Sequence, residues 1–219
     1  MLNFLATLGA VTAIATSPIA LALQSPAPAV PAAQTAEKKA LTDAQKQTLL
    51  KRASAALAKV KTATGTFQQL SPDMSVTTGR FALSRPGKMR FDYDAPTPLL
   101  MVSDGTTVAL QDSELETTDR VPLGTTPLAL LLDDKIDLAS EADILDVTQA
   151  NGHVEITLRD KSGEMDGTLT LQMRESDMEL TGWRTLDSGN NITSVQLSNV
   201  EYGKRLNPRL FVLKDLNEN

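Results

Sequence analysis

The sequence predicts a mainly β chain, an antiparallel sheet of about ten to eleven strands, strongly curved or partly closed, with helices on one face. Two stretches carry that prediction, roughly 66–122 and 142–213, where apolar and polar residues alternate with period two between turn residues. A third observation shapes it: only two segments have helical spacing, too few to alternate with the strands as a doubly wound parallel sheet requires. At 219 residues with 41% apolar composition, the chain can build one domain with a sizeable core.

The elements follow in order. Residues 1–22 hold 15 apolar side chains and no charge and end Ala20-Leu21-Ala22, so a secretory signal peptide cleaved after Ala22 is expected. An uncleaved anchor is the competing reading, weakened by Pro18 in a span already short for a bilayer. Residues 23–40 are rich in Pro and Ala and offer little to bury, which reads as a disordered leader before a folded domain at 41–219. Thr42-Asp43-Ala44-Gln45 has the form of a capping box, and Leu49, Leu50, Ala53, Ala56, Leu57 and Val60 recur at helical spacing up to Gly65, where the helix is expected to stop.

Strands come next, among them Arg80-Phe81-Ala82-Leu83 and Met89-Arg90-Phe91-Asp92-Tyr93, whose parity turns Met89, Phe91 and Tyr93 inward and Arg90, Asp92 and Asp94 outward. Ser103-Asp104-Gly105-Thr106 is a hairpin turn. Thr126-Pro127 opens a short apolar helix, Leu128 to Leu132, that Asp133-Asp134 ends. Alternation then resumes around the turns Asn151-Gly152, Lys161-Ser162-Gly163 and Ser188-Gly189-Asn190-Asn191.

Composition excludes several kinds of chemistry. The 27 acidic and 21 basic residues leave a net charge of −6 with no basic cluster longer than two, which argues against nucleic acid as a partner. With no Cys and one His, disulfides, thiolate nucleophiles and multi-His metal sites are out, and no metal or cofactor is expected. His153 sits at a hairpin tip, where a solvated surface role is the ordinary reading. Asp133, Asp134 and Asp137 cluster and Asp92 and Asp94 share a strand face, yet no Gly-x-Ser-x-Gly elbow and no Gly-rich phosphate loop accompany them. The chain does not read as an enzyme. The apolar strand residues fit either an ordinary core or the lining of a lipid cavity.

The order Gly65-Thr66-Phe67-Gln68-Gln69, Gly79-Arg80-Phe81, Arg85-Pro86-Gly87-Lys88-Met89-Arg90-Phe91, Pro96, Val102-Ser103-Asp104-Gly105, Thr126-Pro127-Leu128 and Asn207-Pro208-Arg209-Leu210-Phe211 resembles the periplasmic outer-membrane lipoprotein carrier family, LolA-type. One departure is Val108-Ala109-Leu110, where many members carry aromatic residues. The resemblance implies an unclosed barrel with a helical lid over its concave face. It also implies a monomeric periplasmic carrier that takes acylated lipoproteins from an ATP-driven inner-membrane transporter and passes them to an outer-membrane acceptor. By the same resemblance Arg85 locks the lid, Phe67, Phe81, Leu83, Met89, Phe91, Tyr93 and Met101 line the cavity, and Leu57, Val60, Leu128 and Leu131 belong to the lid. A lipid-binding or envelope-sensing module of the same fold that moves no lipoprotein is the alternative.

Overall fold

The computed structural model describes residues 40–161 and 167–213; the expected signal peptide (1–22), nearly all of the leader (23–40) and Ser162-Gly163 of one expected turn lie outside them. Helix α1 (Asp43–Lys59) begins at the expected capping box. The Thr42 amide donates to Gln45 Oε1 at 2.9 Å and the Gln45 amide donates to Thr42 Oγ1 at 3.4 Å.

The helix ends at Lys59 and not at Gly65. From Val60 onward β-branched residues at 60, 62 and 64 favour extended backbone. Gly65 lies inside strand β1 (Thr62–Leu70), where a Cβ would come within 2.7 Å of the Phe81 ring and 2.8 Å of the Ser198 carbonyl oxygen. It is therefore a close-approach glycine rather than a helix stop.

The meander continues through β2 (Val76–Ser84), β3 (Lys88–Tyr93), β4 (Leu99–Asp104), β5 (Thr107–Asp112) and β6 (Thr117–Pro122). A 3₁₀ turn (Leu123–Thr125), α2 (Leu128–Leu132) and α3 (Leu138–Glu141) then cross to β7 (Ala142–Ala150), β8 (His153–Asp160), β9 (Thr168–Arg174), β10 (Leu180–Leu186) and β11 (Ile192–Tyr202). The strands form one antiparallel 11-stranded sheet in the order β6-β5-β4-β3-β2-β1-β11-β10-β9-β8-β7. β6 and β7 are the two edges, so the sheet is unclosed.

Helix α3 was not expected, since four residues are too few to show a period. Its first turn is held by the Asp137 carboxylate, which accepts from the Ala139 amide at 3.2 Å, and its Leu138 amide donates to Ser54 Oγ of α1 at 3.2 Å. The C-terminal alternation stops at Tyr202 and not near 213: Pro208–Phe211 is a 3₁₀ turn, capped by Asn207 and lying over β3 and β4.

One apolar core joins the helices to the inward face of the sheet. Val154, Ile156, Leu158, Leu169, Leu171 and Met173 on β8 and β9 are fully buried, as Leu49, Leu50 and Ala53 of α1 nearly are. Val102, Ala109 and Phe211 are buried outside that core. By register Val102 and Ala109 share the outer face with Arg90 and Arg120, so the departure at Ala109 does not touch the concave side.

Truncating a fully buried strand residue removes contacts that nothing replaces. Ile156→Ala should lower unfolding free energy by about 2–5 kcal/mol, whereas Ile192→Ala, at a side chain 49% exposed, should stay within about 0.5 kcal/mol. Urea titration of the two variants checks this, and equal effects would contradict the placement of the core.

Candidate ligand-binding site and its lid

Arg85 stands in the turn between β2 and β3, close to the ends of both α1 and α2. A helix leaves its last carbonyls without intrahelical partners, and a cation is favourable there. The Arg85 guanidinium uses both helix ends at once. Its Nε and Nη2 donate to the Leu131 carbonyl at 2.9 and 2.7 Å, and its Nη1 donates to the Val60 carbonyl at 2.9 Å and to that of Leu57.

Two further ties run in parallel. The Gly87 amide donates to the Leu132 carbonyl at 2.8 Å, and Lys61 Nζ donates to Asp134 Oδ1 at 2.9 Å. Gly87 has φ of +72° and its missing Cβ would fall 2.6 Å from Gly105 Cα, so this turn requires glycine. Ser103, fully buried, donates to the Gly87 carbonyl at 2.7 Å and holds the turn from β4. Burial pushes the Arg85 pKa down to about 10, with Asp133 and Asp134 acting in the opposite direction, so the guanidinium remains cationic at neutral pH.

Two apolar cavities lie on the concave side instead of one. The first, ≈ 280 Å³, is walled by Leu57 and Val60 of α1, Phe81, Leu83 and Arg85 of β2 and its turn, and Met178, Leu180, Leu197 and Val200. The second, ≈ 390 Å³, is walled by Met89, Phe91, Tyr93, Met101, Val108 and Leu110, by Leu128 at the start of α2, and by Trp183 and Val195. The stacked Phe81–Phe91 pair, 5.8 Å between centroids, contributes one ring to each.

The residues expected in the cavity thus divide between two. Phe67 lines neither: it is buried behind Phe91 and Tyr93, at ring distances of 4.6 and 5.0 Å. Leu131 lines neither and contributes its carbonyl to Arg85. Sequence reasoning missed Trp183, which packs edge-on to Phe91 at 6.1 Å, and Met178, buried in the turn between β9 and β10. Their one signal was Trp183 sharing strand parity with Thr185, opposite Val195 on β11, which needs the β10–β11 register to interpret.

The acidic residues have structural partners. Asp133 accepts from the Lys135 amide, Asp134 pairs with Lys61, Asp92 pairs with Arg90 at 2.7 Å, and Asp94 accepts from Thr78 at 2.8 Å. His153 is exposed at the start of β8. Among the described residues no group of three or more His, Asp and Glu side chains could hold a metal, and no helix is long and apolar enough to cross a membrane.

Residues 58–214 match the protein family described as outer membrane lipoprotein carrier protein LolA. An outer-membrane lipoprotein carrier protein of Pseudomonas syringae pv. syringae is 34% identical over 157 residues, covering 66% of this chain and 73% of that protein. One of Azotobacter vinelandii is 31% identical over 177 residues, covering 75% of this chain and 83% of that protein. A solved structure of a LolA superfamily protein from Nitrosomonas europaea superposes with a TM-score of 0.45 at 8% identity, over 76% of this chain and 97% of that one. The span of the family match and the identity to its members establish that this chain belongs to the LolA family of outer membrane lipoprotein carriers.

Proposed function

We propose that the protein is a periplasmic carrier that hides the acyl chains of lipoproteins beneath its lid on the way from the inner to the outer membrane. The observation that supports this best is the bridge from Arg85 to the carbonyls of Leu57, Val60 and Leu131, which fastens two helix ends over an apolar concave face without any catalytic group among them. Residues 1–22 serve export and are removed. An ATP-driven inner-membrane transporter loads the carrier and an outer-membrane acceptor unloads it, and the carrier works as a monomer without a cofactor.

The energetics fit a relay. Each acyl methylene exposed to water costs about 0.8 kcal/mol, so three chains of some fifteen carbons cost tens of kcal/mol in the open. Cavities of ≈ 280 and ≈ 390 Å³ sit near or below the lower end of the roughly 300–1,000 Å³ range of single small-molecule pockets. A triacyl anchor exceeds either. Loading therefore requires the lid to lift and the two spaces to merge.

Lifting the lid breaks the Arg85 bonds, and their recovery in the empty form helps drive release. The bonds favour the closed state, so they weaken cargo retention by the amount they stabilise closure. Arg85→Leu removes this competition: the variant should fold, take up lipoprotein at least as well as native protein, and transfer it poorly to outer-membrane vesicles. Arg85→Lys keeps a charge but not the planar fork that reaches three carbonyls, and should behave like Arg85→Leu rather than like native. A transfer assay with labelled lipoprotein checks both. Native rates of transfer in the two variants would remove Arg85 from the mechanism.

Hydrogen exchange gives an independent check. In Arg85→Leu the amides of 57–61 and 128–134 should exchange at least about tenfold faster, as expected for local opening, while those of β8 and β9 keep native protection. Uniform acceleration would instead indicate global destabilisation.

A further inference from the structure

The concave face changes character along its strands. Gln69 on β1, Tyr93 on β3, Thr185 on β10 and Thr193 on β11 line the second cavity together, and Thr77 on β2 stands opposite Gln69 on the same face, just outside that lining. Two residues deeper, the same face of β1, β3, β10 and β11 carries Phe67, Phe91, Trp183 and Val195. The Gln69, Tyr93, Thr185 and Thr193 side chains thus rim the second cavity at the end remote from the lock, with Thr77 beside Gln69. Thr77 and Arg85 are separated by most of β2, roughly 25 Å of extended chain.

One of these side chains lacks a partner. Thr77 Oγ1 is buried with no hydrogen bond, and the Tyr93 hydroxyl donates to Gln69 Oε1 at 2.9 Å while Gln69 Nε2 reaches only Ser71 Oγ at 3.3 Å. Burial pushes the Tyr93 hydroxyl up from its ordinary pKa, so it stays a donor throughout the physiological range. A buried hydroxyl without a partner is costly, and a carbonyl acceptor would relieve it. Apart from Tyr93, the ionisable side chain of this cavity wall is Asp119, whose charge disfavours a phosphate.

We infer that this rim is a subsite for the ester carbonyls of a neutral diacylglyceryl head, the group that joins acyl chains to a lipoprotein. The inference rests on the carrier reading above and adds an orientation to it. The acyl chains run from the rim toward Arg85, and the peptide leaves at the opposite end from the lock.

Three probes test it on the full-length mature protein: a triacylated lipopeptide, its analogue with ether in place of ester linkages, and dipalmitoylphosphatidylglycerol, each measured by displacement of a fluorescent alkyl probe. The ester lipopeptide should bind about tenfold more tightly than either of the others, the size expected from losing a few hydrogen bonds. Gln69→Leu/Thr77→Val/Tyr93→Phe should bind the ester and ether lipopeptides with equal affinity, whatever its affinity for the alkyl probe. Equal binding of ester and ether by native protein overturns the carbonyl subsite while leaving the carrier reading in place. Phosphatidylglycerol binding as tightly as the lipopeptide overturns the neutral head. Failure of native protein to bind any of the three overturns both this inference and the carrier reading.

Discussion

One guanidinium joins the ends of α1 and α2 to the turn between β2 and β3, and it does so entirely through main-chain oxygens. Arg85 reaches carbonyls at the end of α1 and at the end of α2 from a turn that neither helix contains. Carbonyls at a helix C-terminus need a donor wherever they are not hydrated, and five N–H groups in one plane can serve several of them. Because the partners are backbone groups, the lid side chains are free to be wholly apolar. Leu128 can then line the second cavity and Leu131 and Leu132 can pack into the core while the same segment stays fastened.

In the proposed cycle this bridge has to hold the closed form and still yield to cargo. Burial lowers the Arg85 pKa, which states that its surroundings are less hospitable to charge than water, and the hydrogen bonds and nearby Asp133 and Asp134 offset that cost. Breaking the bridge rehydrates the guanidinium, so the net cost of opening is smaller than the number of bonds suggests. The rest of the fold supplies rigidity. α1 buries Leu49, Leu50 and Ala53 in the main core, and the fully buried rows of β8 and β9 complete that anchored half. The helix is therefore anchored along much of its length, and in the proposed opening the moving parts are its end and the segment around α2.

Much of this was legible in the sequence. The capping box at Thr42 and Gln45, the parity of Met89, Phe91 and Tyr93, and the turn at Asp104-Gly105 are local signals, and the fold uses them locally. Gly65 misled because a glycine after a helical run looks the same as a stop whether it ends a helix or clears space for Phe81. α3 is a four-residue element whose existence depends on Ser54 and Lys161, both distant in sequence. The division of the concave space also escaped, since it depends on Phe81 meeting Phe91 and on Trp183 arriving from the far side of β11. The rim of hydroxyl and amide groups became visible only when the fold brought Gln69, Tyr93, Thr185 and Thr193 from four strands to one cavity wall.

The central claim is that the lid around α2 lifts when acyl chains enter, and a distance measurement addresses it directly. The chain has no native Cys, so Glu114→Cys and Lys135→Cys, both exposed, place two spin labels without competing sites. One reports the hairpin between β5 and β6 and the other the segment after α2. Pulsed electron paramagnetic resonance should show the distance distribution moving and broadening on addition of a triacylated lipopeptide, with empty Arg85→Leu already displaced in the same direction. An unchanged distribution at saturating lipopeptide would contradict the claim that the lid opens to admit cargo.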